Sequence, residues 1–389
     1  MTADDHLERA RRLAPLLERA APQMERERQL TAEVVAALHD AGLYRLLLPR
    51  TYGGAELAPA DFVEVIEEIS KADASTAWCL GQAGGCAMVA AYLDPPVARA
   101  VFGPRDAVLA YGPPNSSGRA LPVDGGYVLN GSWQYASGSR HATWLGAHAA
   151  RVGPDGKAAP GPGGPMAVPT LLFPRAAATI TDTWQVIGLK ATGSDTYAVK
   201  DMFVPSSHVL LRDDPATRRE AGPLYRFTNF QLYGAAFAGV ALGIARSVQD
   251  AFIKLAREKT PFLASAVLRD SPAIQLQVAE CEVRLRAARL FLLDTLRAAY
   301  DEAARTGAIS LERRVAMRMG STSATAQAKE VVDACYQAAG ATAIFEANPF
   351  ERRFRDMHAV AQQSQARSSQ LEAAGRVLLG FDTQGYYAL

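Results

Sequence analysis

Ser137 and His141 stand four residues apart near the end of a stretch, Gly125 to Trp144, that reads GGYVLNGSWQYASGSRHATW. A serine hydroxyl both donates and accepts hydrogen bonds, and an imidazole exchanges a proton near neutral pH. After the Gly125-Gly126 turn, Tyr127-Val128-Leu129 is an apolar, β-prone run. Asn130-Gly131 predicts a hairpin turn, with Trp133 and Tyr135 alternating with Gln134 on the returning strand. That strand ends in Ala136-Ser137-Gly138-Ser139, small residues that let backbone and hydroxyl groups approach a flat ligand closely. An aromatic strand ending in hydroxyls fits the wall of a planar cofactor, and a hairpin of an ordinary β-sandwich fits the same residues. A third candidate, His358, lies in a predicted helix, where a lone histidine by itself reads as a satisfied surface or core residue.

The chain that must position these groups has 389 residues, 49% hydrophobic and 21% charged, with a net charge of +1. Such a length supports two or three domains with a large buried core. The balanced charge gives no basic excess for nucleic acid or an anionic membrane. The start, MTADDHLERARR, shows no apolar leader, and no apolar run is expected to reach the roughly 18 residues of a membrane span. Cys79, Cys86, Cys281 and Cys335 have no CxxC or Cys/His ligand spacing. They read as reduced core thiols of a cytoplasmic protein, with no metal site expected.

Three textures divide the chain into an α+β protein. Residues 1–105 predict helices: Thr31 caps a run ending at Ala41-Gly42, and Pro59 opens a helix with Phe62, Val65, Ile66 and Ile69 at helical spacing. A glycine- and alanine-rich helix follows Asp73 to about Leu93. Residues 106–212 alternate turns with β-branched and aromatic runs, which predicts a β domain carrying a surface loop over Gly153–Pro165. Residues 213–389 predict four helices over Leu232–Lys254, Gln275–Ala303, Leu311–Ala339 and Pro349–Leu379. Gly234, Gly239 and Gly243 suit a tight helix–helix seam.

Three segments in this order resemble the acyl-CoA dehydrogenase superfamily over essentially the whole chain. They are Tyr52-Gly53-Gly54 before Lys71 to Trp78, the run Val186 to Asp195 leading to Val199 to Pro205, and Phe350 to Asp356. The resemblance implies an N-terminal helical domain, a central β-barrel or sandwich and a C-terminal four-helix bundle. It also implies a homotetramer or dimer, with flavin between β domain and bundle and part of each flavin site from a neighbouring subunit. The dehydrogenase glutamate is missing: the two positions that carry it in relatives hold Ser364 and Tyr233, neither a strong base at neutral pH. Trp133, Tyr135, Ala136, Ser137, Gly138 and His141, with Arg355, Asp356 and His358, look closer to the group D two-component flavin-dependent monooxygenases, especially indole-oxidising members.

That resemblance implies reduced flavin from a separate reductase, O₂, a flavin C4a-hydroperoxide and oxidation of a small aromatic, indole-like molecule. FAD is favoured over FMN. Ser137 is expected to hold the flavin N5 hydrogen, and His358 or His141 to act as acid/base. Tyr135, Asn115, Ser117, Thr192 and Gly193 are the other expected flavin contacts. Trp78, Gln82, Tyr233 and Gln362 are the expected substrate contacts, with Gln362 and Gln365 on the helical face of His358. The alternatives are an acyl-CoA dehydrogenase or nitrogen-oxidising flavoenzyme of this fold, and a non-catalytic flavin- or ligand-binding subunit.

Overall fold

The computed structural model describes residues 2–157 and 168–381. Of the loop expected over Gly153–Pro165, residues 158–165 lie outside the described residues. The N-terminal helices are α1 (Ala3–Glu27), α2 (Ala32–Asp40), α3 (Pro59–Ala72), α4 (Ala74–Ala87) and α5 (Pro95–Phe102). Thr31 caps α2 by accepting from Val34 N. Phe62, Val65, Ile66 and Ile69 of α3 are all buried, as the spacing requires. Asp73 caps α4 by accepting from both the amide and the hydroxyl of Thr76 at 2.7 Å. This helix stops at Ala87, and a 3-10 turn continues to Tyr92.

The central strands are β1 (Leu109–Ala110), β2 (Arg119–Val123), β3 (Gly126–Ala136), β4 (Trp144–His148), β5 (Ala150–Arg151), β6 (Thr170–Pro174), β7 (Thr179–Thr181), β8 (Asp195–Pro205) and β9 (Val209–Leu210). They form two sheets, ordered β1-β4-β6-β9 and β5-β2-β3-β8-β7. The hairpin turn differs from the expectation. β2 turns into β3 at Asp124-Gly125, with Gly125 at φ 74°. Asn130-Gly131 instead sits inside β3 as a bulge, where the register against β8 shifts between Leu129 and Gly131. An Asn-Gly pair serves either purpose, and here Asn130 Oδ1 accepts from Asp201 N on β8 at 2.9 Å. Trp133 is fully buried, stacks on Tyr197 and donates to the His148 carbonyl at 2.9 Å, so it joins the two sheets.

The C-terminal helices are α6 (Asn229–Glu258), α7 (Pro272–Thr306), α8 (Leu311–Ala339), α9 (Phe350–Val360) and α10 (Ser369–Leu378). The single fourth helix expected over Pro349–Leu379 is therefore two helices, separated by a turn at Ser364–Ala366. α6 carries an 18-residue window of mean hydropathy 1.3, long and apolar enough by composition to span a bilayer, yet 72% of that window is buried in the fold. Its glycines make an internal seam. A Cβ on Gly239 would lie 3.1 Å from Val63, and one on Gly243 only 2.4 Å from the Glu67 carbonyl, both on α3. Gly234 faces Gln365 and Ser321 of the same chain. Gly239 and Gly243 are thus filled by α3 of the same chain.

Candidate active site

The end of β3 is bent by its own backbone. Its register against β8 shifts again between Trp133 and Ala136, and Tyr135 takes a left-handed φ of 60°. The chain then folds tightly, Ser137 N donating to Tyr135 O at 3.0 Å. Backbone ties hold this turn to the segment before β8. Gly138 N donates to Thr192 O at 2.9 Å, and Ser139 Oγ to Gly193 O at 3.3 Å.

Three buried hydroxyls follow one another across that junction. Ser137 Oγ lies 2.7 Å from Ser194 Oγ, which lies 2.7 Å from Thr192 Oγ1, and Thr192 Oγ1 donates to the Leu189 carbonyl at 2.9 Å. At the other end Trp78 Nε1 donates to Ser137 Oγ at 3.0 Å. A carbonyl only accepts and an indole N–H only donates, so each proton in the series has one direction. Thr192 gives its proton to Leu189, Ser194 to Thr192, and Ser137 to Ser194. Ser137 keeps one lone pair.

The carbonyl that ends this series is itself clamped. Leu189 has a left-handed φ of 53°, its N–H donates to Asp356 Oδ1 of α9 at 2.6 Å, and its carbonyl also accepts from Trp184 Nε1 at 3.0 Å. A Cβ at Gly188 would lie 2.1 Å from the Arg355 carbonyl, so only glycine lets α9 approach this closely. Burial is the first cause that pushes the Asp356 carboxyl up, to about 7.

Trp78 connects the hydroxyls to an aromatic series on α4 and α6. Its ring stacks on Phe237 with centroids 3.7 Å apart, and Phe237 stacks on Tyr233 at 5.9 Å. Gly81 and Gly85 make room, since a Cβ would meet Ala236 at 3.2 Å and Tyr233 at 2.2 Å. Tyr233 and the Asn229 amide both donate to Tyr111 Oη at 3.0 Å, and Gln82 Nε2 donates to the Tyr111 carbonyl at 3.3 Å. Burial pushes the Tyr233 phenol well above its ordinary range, so it stays a donor and cannot serve as a base. Tyr135 and Trp184 form an apolar pair next to Ser137, and Ile187 is a further exposed apolar residue in the segment before Leu189. Tyr135 meets Trp184 edge-on at 6.1 Å, and Tyr135 and Ile187 are 60% and 65% exposed.

The sequence-predicted residues separate accordingly. Ser137, Thr192, Gly193 and Trp78 come together, and Tyr233 and Gln82 extend the group from α6 and α4. His358 stands elsewhere on α9, its Nε2 2.9 Å from Asp333 Oδ1 of α8 and its ring against Phe354, sharing no partner with Ser137. His141 packs its ring on Tyr44, 5.7 Å away, and its Nε2 is buried with no partner among the described residues. Burial lowers it to about 4, so it is neutral at pH 7. Asn115 and Ser117 bond each other and staple themselves to Ser132 of β3, at 2.6–3.1 Å. Gln362 is corrected by the structure: α9 ends at Val360, so Gln362 is exposed beyond it and shares no helical face with His358. Sequence reasoning missed Phe237, Tyr111, Asn229, Trp184 and Asp333. Phe237 stands four residues after Tyr233, a spacing that pairs aromatics on one helix face, whereas nothing local marks Asp333.

Comparison with known proteins gives the family and the fold. The model of the acyl-CoA dehydrogenase N-terminal domain matches residues 7–94, and that of the acyl-CoA dehydrogenase C-terminal domain matches residues 235–368. The chain is 30% identical over 361 residues to indole-3-acetate monooxygenase of Pseudomonas putida, covering 92% of this chain and 89% of that protein. It is 28% identical to the flavin-dependent monooxygenase oxygenase subunit HsaA of Rhodococcus jostii (strain RHA1), covering 91% and 92%. The structure of XiaF from Streptomyces sp. in complex with FADH2 and glycerol superposes with a TM-score of 0.91 at 25% identity, covering 98% of this chain and 97% of XiaF.

Proposed function

The chain belongs to the acyl-CoA dehydrogenase superfamily, in its branch of flavin-dependent monooxygenase oxygenase components, and on that premise we propose that it oxidises an indole-like aromatic molecule with O₂ and reduced FAD from a separate reductase. The single observation that carries the reading is the join at Ser137. There a buried hydroxyl with one spare lone pair meets the indole N–H of a stacked aromatic wall.

The residues present fit a reduced flavin. The exposed ring of Tyr135 against Trp184 suits a flat apolar ring, and the lone pair of Ser137 suits the N5 hydrogen that only the reduced form carries. Thr192 and Gly193 tie this strand end to the segment before β8, and Asn115 and Ser117 fasten the loop before β2 to Ser132 of β3. Bound reduced flavin supplies the electrons that activate O₂ for transfer of one oxygen atom. FAD is favoured over FMN by the likeness to XiaF, whose structure contains FADH2.

Trp78, Phe237 and Tyr233 offer the substrate a flat aromatic wall, and Gln82 offers an amide to its polar edge. Of the two histidines His358, held by Asp333 and partly exposed, is the one open to serve as acid/base, although it stands apart from the Trp78 wall on α9. His141, neutral and packed on Tyr44, supports the strand end. A homotetramer is supported by the outer face of α7, where Leu276, Val283 and Leu290 recur every seven residues and are each more than 60% exposed. The buried thiols, none of them paired in a disulfide, support a cytoplasmic setting.

The test combines the protein with a flavin reductase, NADH, FAD, O₂ and a panel headed by indole and indole-3-acetate. Oxygenated product from an indole supports the reading, and hydrogen peroxide as the sole product across the panel overturns it. The dehydrogenase alternative is disfavoured because Tyr233 is locked as a donor on Tyr111 and Ser364 is exposed in the turn after α9.

A further inference from the structure

We propose that the series Thr192–Ser194–Ser137 selects the redox state of the flavin, with Thr192 and Ser194 acting as positioning residues that keep Ser137 an acceptor. The inference rests on the reading that flavin N5 lies against Ser137. Reduced flavin presents a hydrogen at N5, and oxidised flavin presents a lone pair there. A hydroxyl free to rotate would serve both forms equally, because it donates as readily as it accepts.

Ser137 is not free to rotate. Its proton is committed to Ser194, Ser194 commits its own to Thr192, and Thr192 to the Leu189 carbonyl, at 2.7, 2.7 and 2.9 Å. Trp78 takes one of the two lone pairs of Ser137. All three hydroxyls are buried, with Thr192 2% and Ser194 3% exposed, so water does not compete for the same bonds. The end of the series cannot turn round, since Leu189 is held by Asp356 on one side and accepts from Trp184 on the other. Against oxidised flavin, two lone pairs would face each other, or Ser137 would have to break its bond to Ser194. Reduced flavin makes the bond with every other bond intact. The oxygenase therefore discriminates against spent, oxidised flavin through two residues that need not touch the ring.

Thr192→Val keeps the side-chain shape and removes the last donor. Ser194 then turns to donate toward Ser137, and the proton of Ser137 is released toward the ligand. Ser194→Ala frees the same proton by deleting its acceptor, while Thr192→Ser preserves the series. Dissociation constants are measured for oxidised FAD and, anaerobically, for dithionite-reduced FAD, by quenching of tryptophan fluorescence. Thr192→Val and Ser194→Ala should each lower the oxidised-to-reduced ratio about threefold to tenfold, the worth of one hydrogen bond, and Thr192→Ser should leave it as in the native protein. An unchanged ratio in both Thr192→Val and Ser194→Ala, with an altered ratio in Ser137→Ala, overturns the relay and leaves the flavin placement standing. Unaltered affinities for both forms in Ser137→Ala overturn the placement and the relay with it.

Discussion

Ser137 at the end of β3 and His358 on α9 are held in opposite ways, although both are expected to work on the same reaction. Ser137 is buried, and every bond around it has a fixed direction that ends on a clamped carbonyl. His358 is partly exposed and bonds a single carboxylate, Asp333, which also pairs with Lys329. The first arrangement suits a group whose task is to hold one polarity without moving. The second suits a group that must change protonation state, because water and an adjustable ion pair absorb the change. Asp356, two residues before His358 on α9, bonds Leu189, so the same helix that carries the histidine also anchors the hydroxyl series.

The comparison breaks most sharply at His358. His358→Ala should lower product formation about a hundredfold while reduced-flavin affinity stays as it was. Unchanged product formation would leave His358 as no more than an α8–α9 tie. Ser137→Ala should do the reverse, weakening reduced-flavin binding and diverting electrons to free hydrogen peroxide. Losing such a bond costs about 1–3 kcal/mol, a tenfold to hundredfold change in the product-to-peroxide ratio. Asp333→Asn keeps a hydrogen-bonding group but removes the charge, so product formation should drop about tenfold with peroxide release little changed. A simultaneous loss of flavin binding in Asp333→Asn would merge the two regions.

Asp356→Asn gives the smallest effect and concerns stability. The folded-state carboxyl titrates near 7 against an ordinary 3.8, so between about pH 4 and 7 the folded protein holds a proton that the unfolded chain has lost. Native stability from this group is full below pH 4 and declines as pH rises through 7. The carboxamide of the variant does not titrate, and its oxygen still accepts from Leu189 N. The melting-temperature difference between variant and native protein should therefore move in the variant's favour from pH 4 to 7 and level off above. A difference that does not vary with pH would show Asp356 to be ionised throughout.

How much of this was legible in the sequence follows the range of the forces involved. The Thr31 cap, the α3 periodicity and the turn-rich middle third are local signals, and they reappear in the fold. Asn130-Gly131 misled because the pair is equally suited to a turn and a bulge, and pairing with β8, seventy residues on, decides between them. The glycines of α6 are legible as a seam, but only tertiary packing reveals α3 of the same chain as the partner of Gly239 and Gly243. Ser137, Thr192 and Trp78 were found through motifs more than fifty residues apart, whereas the direction of their bonds depends on the carbonyl of Leu189 and has no sequence signature. Gln362 departs from its expected helical face for a simpler reason: α9 ends at Val360, two residues before it.

Isotope labelling of the product separates oxygen transfer to the substrate from release of peroxide. The protein is loaded anaerobically with reduced FAD and indole-3-acetate, then mixed once with ¹⁸O₂, and the products are read by mass spectrometry. An oxidised indole carrying one ¹⁸O atom, in an amount approaching the reduced flavin supplied, is expected of an oxygenase. Label recovered wholly in hydrogen peroxide, with the indole unchanged, would contradict that activity.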